Sequence, residues 1–323
     1  MIYGRSGTRA VALGLVLALG TGCHDTGSTV DDSSQELVGA GQRDYTKTQY
    51  PIVLCHGLLG FRDLFGLVDY WYGIPGALSD GGAKVFVTET IPLESSEARG
   101  EALIPQIEEI LALTGAPKVN LVGHSQGALD VRYIAAVRPD LVASVTSVGG
   151  PHLGADLADV VETNTFGSLD DKLIASLGKI ITLAAGSHFQ LNEQAAIHQL
   201  TTSYITGTFN RRYPAGVPLA RCGQGASVAN GIRYFSWSGT AIHTNELDVL
   251  DVGFAVTSLF YPGHEDDGLV GRCSSHLGMV IRDDYAMNHL DEINHILGLV
   301  DVWHVRPEAV FRMHANRLKN AGL

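Results

Sequence analysis

The pentapeptide Gly123-His124-Ser125-Gln126-Gly127 restricts the fold of this chain more than any other stretch. It follows Lys118 to Val122 (KVNLV), an apolar run that reads as a buried strand, and it opens a predicted helix. A serine at such a junction sits on a tight turn in strained backbone. Glycines two residues to either side let strand and helix approach where a Cβ would clash. The pattern therefore predicts a nucleophile elbow, with the Ser125 hydroxyl presented at the tip.

Its surroundings repeat the same rhythm. Pro51 to Cys55 (PIVLC), Lys84 to Thr88 (KVFVT) and Leu141 to Val148 (LVASVTSV) read as further buried strands of a mainly parallel sheet. Glu101 to Leu113 has apolar residues at helical spacing and ends at Gly115 and Pro117. Alternation of strand and helix predicts an α/β fold with a mainly parallel central sheet and flanking helices. The chain has 323 residues, 45% hydrophobic and 17% charged, so one large core suffices. A formal charge of −12 without a Lys/Arg cluster argues against nucleic acid as a partner.

At the N-terminus, Arg5 and Arg9 precede the apolar run Val11 to Gly20 and the small residues Thr21 and Gly22. Residues 1–22 are thus expected to be a secretory leader. The run is too short for a permanent span and no other stretch of about 18 apolar residues exists, so no transmembrane span is expected in the mature, secreted chain. Cys23 directly after the leader looks like a lipidation site, although Gly20 stands where such sites usually have Leu. Acylation at Cys23 and ordinary cleavage nearby both remain open. Residues 23–48, rich in Ser, Asp, Gly and Thr, read as a flexible tether to a domain over 49–323. Ser168 to Ala185 places Leu169, Leu173, Leu177, Ile180, Ile181 and Ala184 on one side of an amphipathic helix.

A serine hydroxyl is a weak nucleophile and needs a base, and the base needs a group that fixes its tautomer. In an elbow fold these follow the serine in the order acid, then histidine. Asp267, in Asp267-Gly268-Leu269-Val270, and His289, in Asn288-His289-Leu290-Asp291, lie in short polar patches beside apolar runs. Asp266 is barely separable from Asp267 on this logic, and with 13 histidines in the chain residue type alone does not select His289. The oxyanion hole is expected from the backbone N–H groups of Gln126 and of Leu58, in His56-Gly57-Leu58-Leu59-Gly60. His56, His124 and His152 read as supports for turns. Cys55 reads as a small buried hydrophobe. An exported chain is compatible with a disulfide between Cys222 and Cys273, which spacing alone does not establish.

Several long motifs go further: YPIVLCHGLLGF, VDYWYGIP, PKVNLVGHSQG, YIAAVRPDLVASVTSVGGPH, DDGLVGRCSSHLGMVIRDDYAMNHLDEIN and ANRLKNAGL. Together they resemble the foldase-dependent bacterial true lipases of the Pseudomonas type, from about Tyr50 to Leu323. The resemblance implies an α/β-hydrolase fold and a triacylglycerol lipase acting on lipid esters at a lipid–water interface. It implies Ser125 as nucleophile, Asp267 as acid and His289 as base, and it supports the Cys222–Cys273 disulfide. It also implies one structural Ca2+ held by Asp248, Asp291 and the carbonyls of His295 and Leu299, with Asp251 as the rival of Asp248. A lid at about 160–190, built on the Ser168 to Ala185 helix, and a membrane-anchored foldase chaperone follow from the same likeness. Acylated Cys23 would then make the chain an outer-membrane lipoprotein. Ala128 in place of a second elbow glycine, Cys55 in the first strand, His295 in place of Gln and the N-terminal tether depart from the family pattern. A carboxylesterase or acyltransferase with the same triad is the alternative, and a non-catalytic lipid-binding lipoprotein a more distant one.

Overall fold

Apolar runs with both faces covered become the central strands, as their composition requires. A computed structural model describes residues 43–58, 63–64, 68–163, 193–248 and 250–323. Its strands are β1 (Ile52–Cys55), β2 (Asp63–Leu64), β3 (Val68–Asp69), β4 (Val85–Thr88), β5 (Val119–His124), β6 (Val142–Val148), β7 (Val228–Ala229), β8 (Ile232–Gly239) and β9 (Met279–Tyr285). The main sheet runs β4-β1-β5-β6-β8-β7, with β9 also paired to β8. Every pairing in it is parallel except β7 with β8. β2 and β3 form a separate antiparallel ribbon.

Strand alternation divides the core in two. Ile52 and Leu54 pack with Trp71, Ile74 and Leu78 and with Val310 and Phe311 of the C-terminal helix Pro307–Asn320. Val53 and Cys55 instead join Leu103 and Ile107 of the helix Ser96–Thr114 and Leu129 and Ile134 of the elbow helix Gln126–Val137. The expected α/β-hydrolase layers are therefore present.

The helix expected over 101–113 begins earlier, at Ser96. Ser95 caps it by accepting the Ala98 N–H at 3.1 Å, and the polar first turn hides the start from a periodicity argument. The expected tether also ends sooner than 48: Tyr45 and Thr46 are buried, and the Thr46 N–H donates to Gly81 O at 2.9 Å. Cys222 and Cys273 are disulfide-bonded, with Cα atoms 4.5 Å apart. Cys55 is free and buried, and burial pushes its thiol up to about 12. The leader, Cys23 and most of the lid segment, including all of Ser168 to Ala185, lie outside the described residues.

Candidate active site

The elbow forms where β5 ends. Ser125 has φ 55° and ψ −128°, a conformation L-residues rarely adopt, before the chain turns into the elbow helix. Both glycines are required sterically. A Cβ at Gly123 would lie 2.2 Å from Gly127 O, and one at Gly127 would lie 2.5 Å from the carbonyl oxygens of Cys55 and His56. The Ser125 N–H donates to Val148 O at 2.9 Å, which ties the turn to β6. Among the described residues the Ser125 hydroxyl has no hydrogen-bond partner.

The loop after β9 supplies His289, and the segment before it supplies Asp267. His289 Nδ1 lies 2.8 Å from Asp267 Oδ2, both side chains being buried. The other carboxylate oxygen, Oδ1, accepts the N–H groups of Leu269 (2.9 Å) and Val270 (2.7 Å), and the His289 N–H donates to Asp267 O at 2.8 Å. So held, Asp267 fixes the proton on Nδ1 and leaves the lone pair on Nε2. Asp266 makes different bonds: it accepts from the Ser258 hydroxyl (2.9 Å) and the Gly268 N–H (2.8 Å). Burial raises its carboxyl to about 6.

A polar chain links the His289 backbone to the loop after β1. His124 Nε2–H donates to His289 O (2.9 Å), Tyr70 O–H donates to His124 Nδ1 (2.6 Å), and Gly57 N–H donates to Tyr70 Oη (2.8 Å). The His124 ring lies 4.5 Å from the His289 ring, so the residue preceding Ser125 packs directly on the imidazole. His124 is held neutral, first by burial and then by His289. The backbone N–H groups of Leu58 and Gln126 are both free of protein acceptors among the described residues. His56 is bonded as a turn support: Thr90 N–H donates to Nε2 at 3.1 Å, so Nδ1 carries the proton and donates to Gly57 O at 3.0 Å. His152 likewise accepts from Arg132 on Nδ1 at 3.0 Å and donates to the Ser147 hydroxyl at 2.7 Å.

Sequence reasoning missed Glu292, three residues beyond His289 in the 3-10 turn Asp291–Ile293. Its Oε1 accepts the Gly239 N–H at 2.6 Å, while among the described residues nothing donates to the buried Oε2, 3.7 Å from His124 Nε2. Burial first, and then Asp267, keep its carboxyl well above the usual range. His124, His289 and Glu292 bring donor atoms within 4.8 Å of one another. The rings are already engaged by Asp267, Tyr70 and a carbonyl, so this cluster belongs to the site's own scaffold. The spacing His289-x-x-Glu292 is the one sequence signal that could have found it.

Next to this loop lie Asp248 and Asp291, both buried. Burial, then the nearby charges of Asp248 and Asp251, push the Asp291 carboxyl up to about 7. Asp251 is already saturated. It accepts from Thr244 N (2.8 Å), Asn245 N (3.0 Å) and Asn288 Nδ2 (2.9 Å), and His243 lies 3.2 Å away. Among the described residues the Asp248 carboxylate accepts only the Leu250 N–H, at 2.8 Å on one oxygen. The His295 ring is buried edge-on against Tyr70, and Leu297 and Gly298 are both left-handed, so the backbone curls between His295 and Leu299.

Comparison with known proteins agrees with this architecture. The alpha/beta hydrolase fold family matches residues 50–223. The triacylglycerol lipase of Vibrio cholerae is 49% identical over 288 residues, 87% of this chain and 91% of that protein. Triacylglycerol lipases of Pseudomonas fragi and Burkholderia plantarii are 42% and 41% identical, over 87% and 86% of this chain and 99% and 88% of theirs. Among solved structures, a Bacillus licheniformis lipase superposes with a TM-score of 0.59 at 20% identity, covering 84% of this chain and 92% of that one. At that identity the likeness speaks to fold alone.

Proposed function

The chain belongs to the bacterial triacylglycerol lipases of the α/β-hydrolase fold, and from that membership we propose that it cleaves lipid esters through Ser125, His289 and Asp267. Ser125 Oγ attacks the ester carbonyl while His289 Nε2 takes its proton. The oxyanion is received by the N–H groups of Leu58 and Gln126. His289 returns the proton to the leaving alcohol, then activates the water that frees the fatty acid from the acyl-enzyme. The observation that carries this reading is the 2.8 Å Asp267–His289 pair beside a serine held at φ 55°.

The test is stoichiometric labelling with a p-nitrophenyl alkylphosphonate, followed by ester hydrolysis with Ser125→Ala. The expected result is one label per chain in the wild type, none in the variant, and loss of nearly all hydrolysis with the fold retained. Hydrolysis surviving in Ser125→Ala would sink the assignment. A lid over 160–190 adds a second expectation: emulsified long-chain esters are turned over faster than the same esters below their solubility limit. Equal rates would favour a carboxylesterase.

The acidic pair Asp248 and Asp291 fits one structural Ca2+, with the carbonyls of His295 and Leu299 completing the set. Such an ion would neutralise two buried carboxylates and brace the loop that carries His289. A chelator should then cause slow loss of activity together with a lowered melting temperature. An unchanged melting temperature would count against the ion. Export through the 1–22 leader, with or without a lipid on Cys23, and folding assisted by a membrane-anchored foldase complete the proposal. No helix among the described residues is long and apolar enough to cross a membrane.

A further inference from the structure

Arg99 is fully buried in the first turns of the helix Ser96–Thr114 and belongs to none of the motifs that define the triad. Its Nε donates to Asp130 Oδ2 at 2.8 Å and its Nη1 to Ile91 O at 2.8 Å. Its Nη2 donates to both His56 O (2.8 Å) and Gly57 O (2.9 Å). The last contact matters most, because Gly57 C=O and Leu58 N–H are the two ends of one peptide group. In a trans peptide these ends point in opposite directions. A guanidinium fixed on the oxygen therefore aims the Leu58 N–H away from itself. The loop so oriented touches the nucleophile, since a Cβ at Gly57 would lie 2.8 Å from Ser125 Cβ.

The other end of the clasp holds the second donor. Asp130 lies one turn after Gln126 in the elbow helix, so the Arg99–Asp130 ion pair ties that helix to the oxyanion loop. Cationic donation to the Gly57 carbonyl, reinforced by His56 Nδ1, also polarises the amide and strengthens its N–H as a donor. Resting on the proposed role of Leu58 and Gln126, we infer that Arg99 is a positioning residue that sets the distance and direction of both oxyanion donors. It touches no reacting atom, and its effect belongs to the tetrahedral transition state rather than to substrate binding.

The test uses the double variant Arg99→Gln/Asp130→Asn, which removes both charges so that neither is left buried alone, and the single variant Arg99→Lys. Arg99→Lys keeps a charge but loses the planar fork that reaches four acceptors. The end-point of phosphonate labelling counts competent Ser125 sites; kcat and KM are measured per labelled site on a short soluble ester; and affinity is measured for an alkylboronic acid, which forms a tetrahedral adduct with the serine. We expect kcat per site to fall about 100-fold in the double variant, with KM within about twofold and boronate affinity reduced in proportion to kcat. Arg99→Lys should show the same pattern to a smaller degree, and it decides the matter alone if the double variant yields no labelled sites. Boronate affinity and kcat per site within about twofold of wild type in the variants that label would overturn the inference, as would a fall in kcat with undiminished boronate affinity. Failure of the underlying nucleophile assignment looks different, since labelling would then persist in Ser125→Ala.

Discussion

Residue by residue, what could be read from the sequence depended on how far apart the parts of the site lie along the chain. The elbow is contiguous, so Gly123, Ser125 and Gly127 were legible from local sterics alone. Asp267 and His289 come from segments more than a hundred residues downstream, and only the family resemblance selected them among 13 histidines. Neighbouring carboxylates were not separable in sequence: Asp266 and Asp267 differ in which N–H groups they accept, and Asp248 and Asp251 in how many. Arg99 gave no signal at all, because a buried arginine in a polar first turn looks like a surface residue. The sterics of the elbow make a sharp prediction. In Gly127→Ala the new Cβ meets backbone oxygens that cannot rotate away, so β1 and the elbow helix must separate. Destabilisation of about 3 kcal/mol or more is expected. Gly115→Ala, with φ 67° but open space around it, should cost only about 1 kcal/mol. Comparable melting temperatures for the two variants would show that the close approach at Gly127 is not real.

At the level of elements, β1, β4, β5 and β6 were legible, whereas the buried central strand β8, whose IRYFSWSG alternates polar with aromatic residues, and the marginal β9 were not. β1, β5 and β6 are wholly buried and rich in Val, Leu and Ile, with the small polar residues Ser144, Thr146 and Ser147 interspersed in β6. β9 is only partly buried, and Arg282, Asp283 and Asp284 mask its sequence as loop. Those charges have a use at the sheet margin: Arg272 and His276 both pair with Asp283, and the charged surface discourages pairing with another strand. Cys273, beside Arg272 in a 3-10 turn, is bonded across 51 residues to Cys222. The bond thus braces the stretch between Asp267 and β9, through which the chain passes from the proposed acid, Asp267, to the proposed base, His289. Loss of the bond in Cys222→Ser/Cys273→Ser should cost about 2–4 kcal/mol, largely by releasing the unfolded chain. Activity at low temperature should be retained, because neither sulfur contacts the triad. A melting temperature unchanged from wild type would mean that the rest of the fold already fixes this segment.

Across the whole molecule, buried histidines couple stability to pH. His56, His152 and His314 are all buried, and each lies near an arginine: Arg99, Arg132 and Arg317. Burial is the larger cause and the arginine the next; together they lower His56 to about 3 and hold the other two well below the ordinary 6.5. Below pH 6.5 the unfolded chain takes up protons that the folded chain refuses, so these imidazoles withdraw stability as pH falls through that value. An imidazole still neutral at pH 5 costs about 2 kcal/mol there relative to neutral pH. Asp130 and Asp266 act in the opposite sense. Raised to about 6 from 3.8, they bind protons more readily in the folded state and offset part of the loss. The balance is therefore best resolved one histidine at a time, and His314 suits this because it lies on the sheet's C-terminal helix, bonded to Thr146 at 2.8 Å and remote from the reacting groups. His314→Gln should be less stable than wild type at pH 7, and the gap should narrow by up to about 2 kcal/mol at pH 5, where only the wild type carries the protonation penalty. Urea midpoints at the two pH values measure the gap directly. A constant gap would mean that His314 titrates alike in the folded and unfolded chain, and that its burial between Phe235 and Trp237 does not keep it neutral.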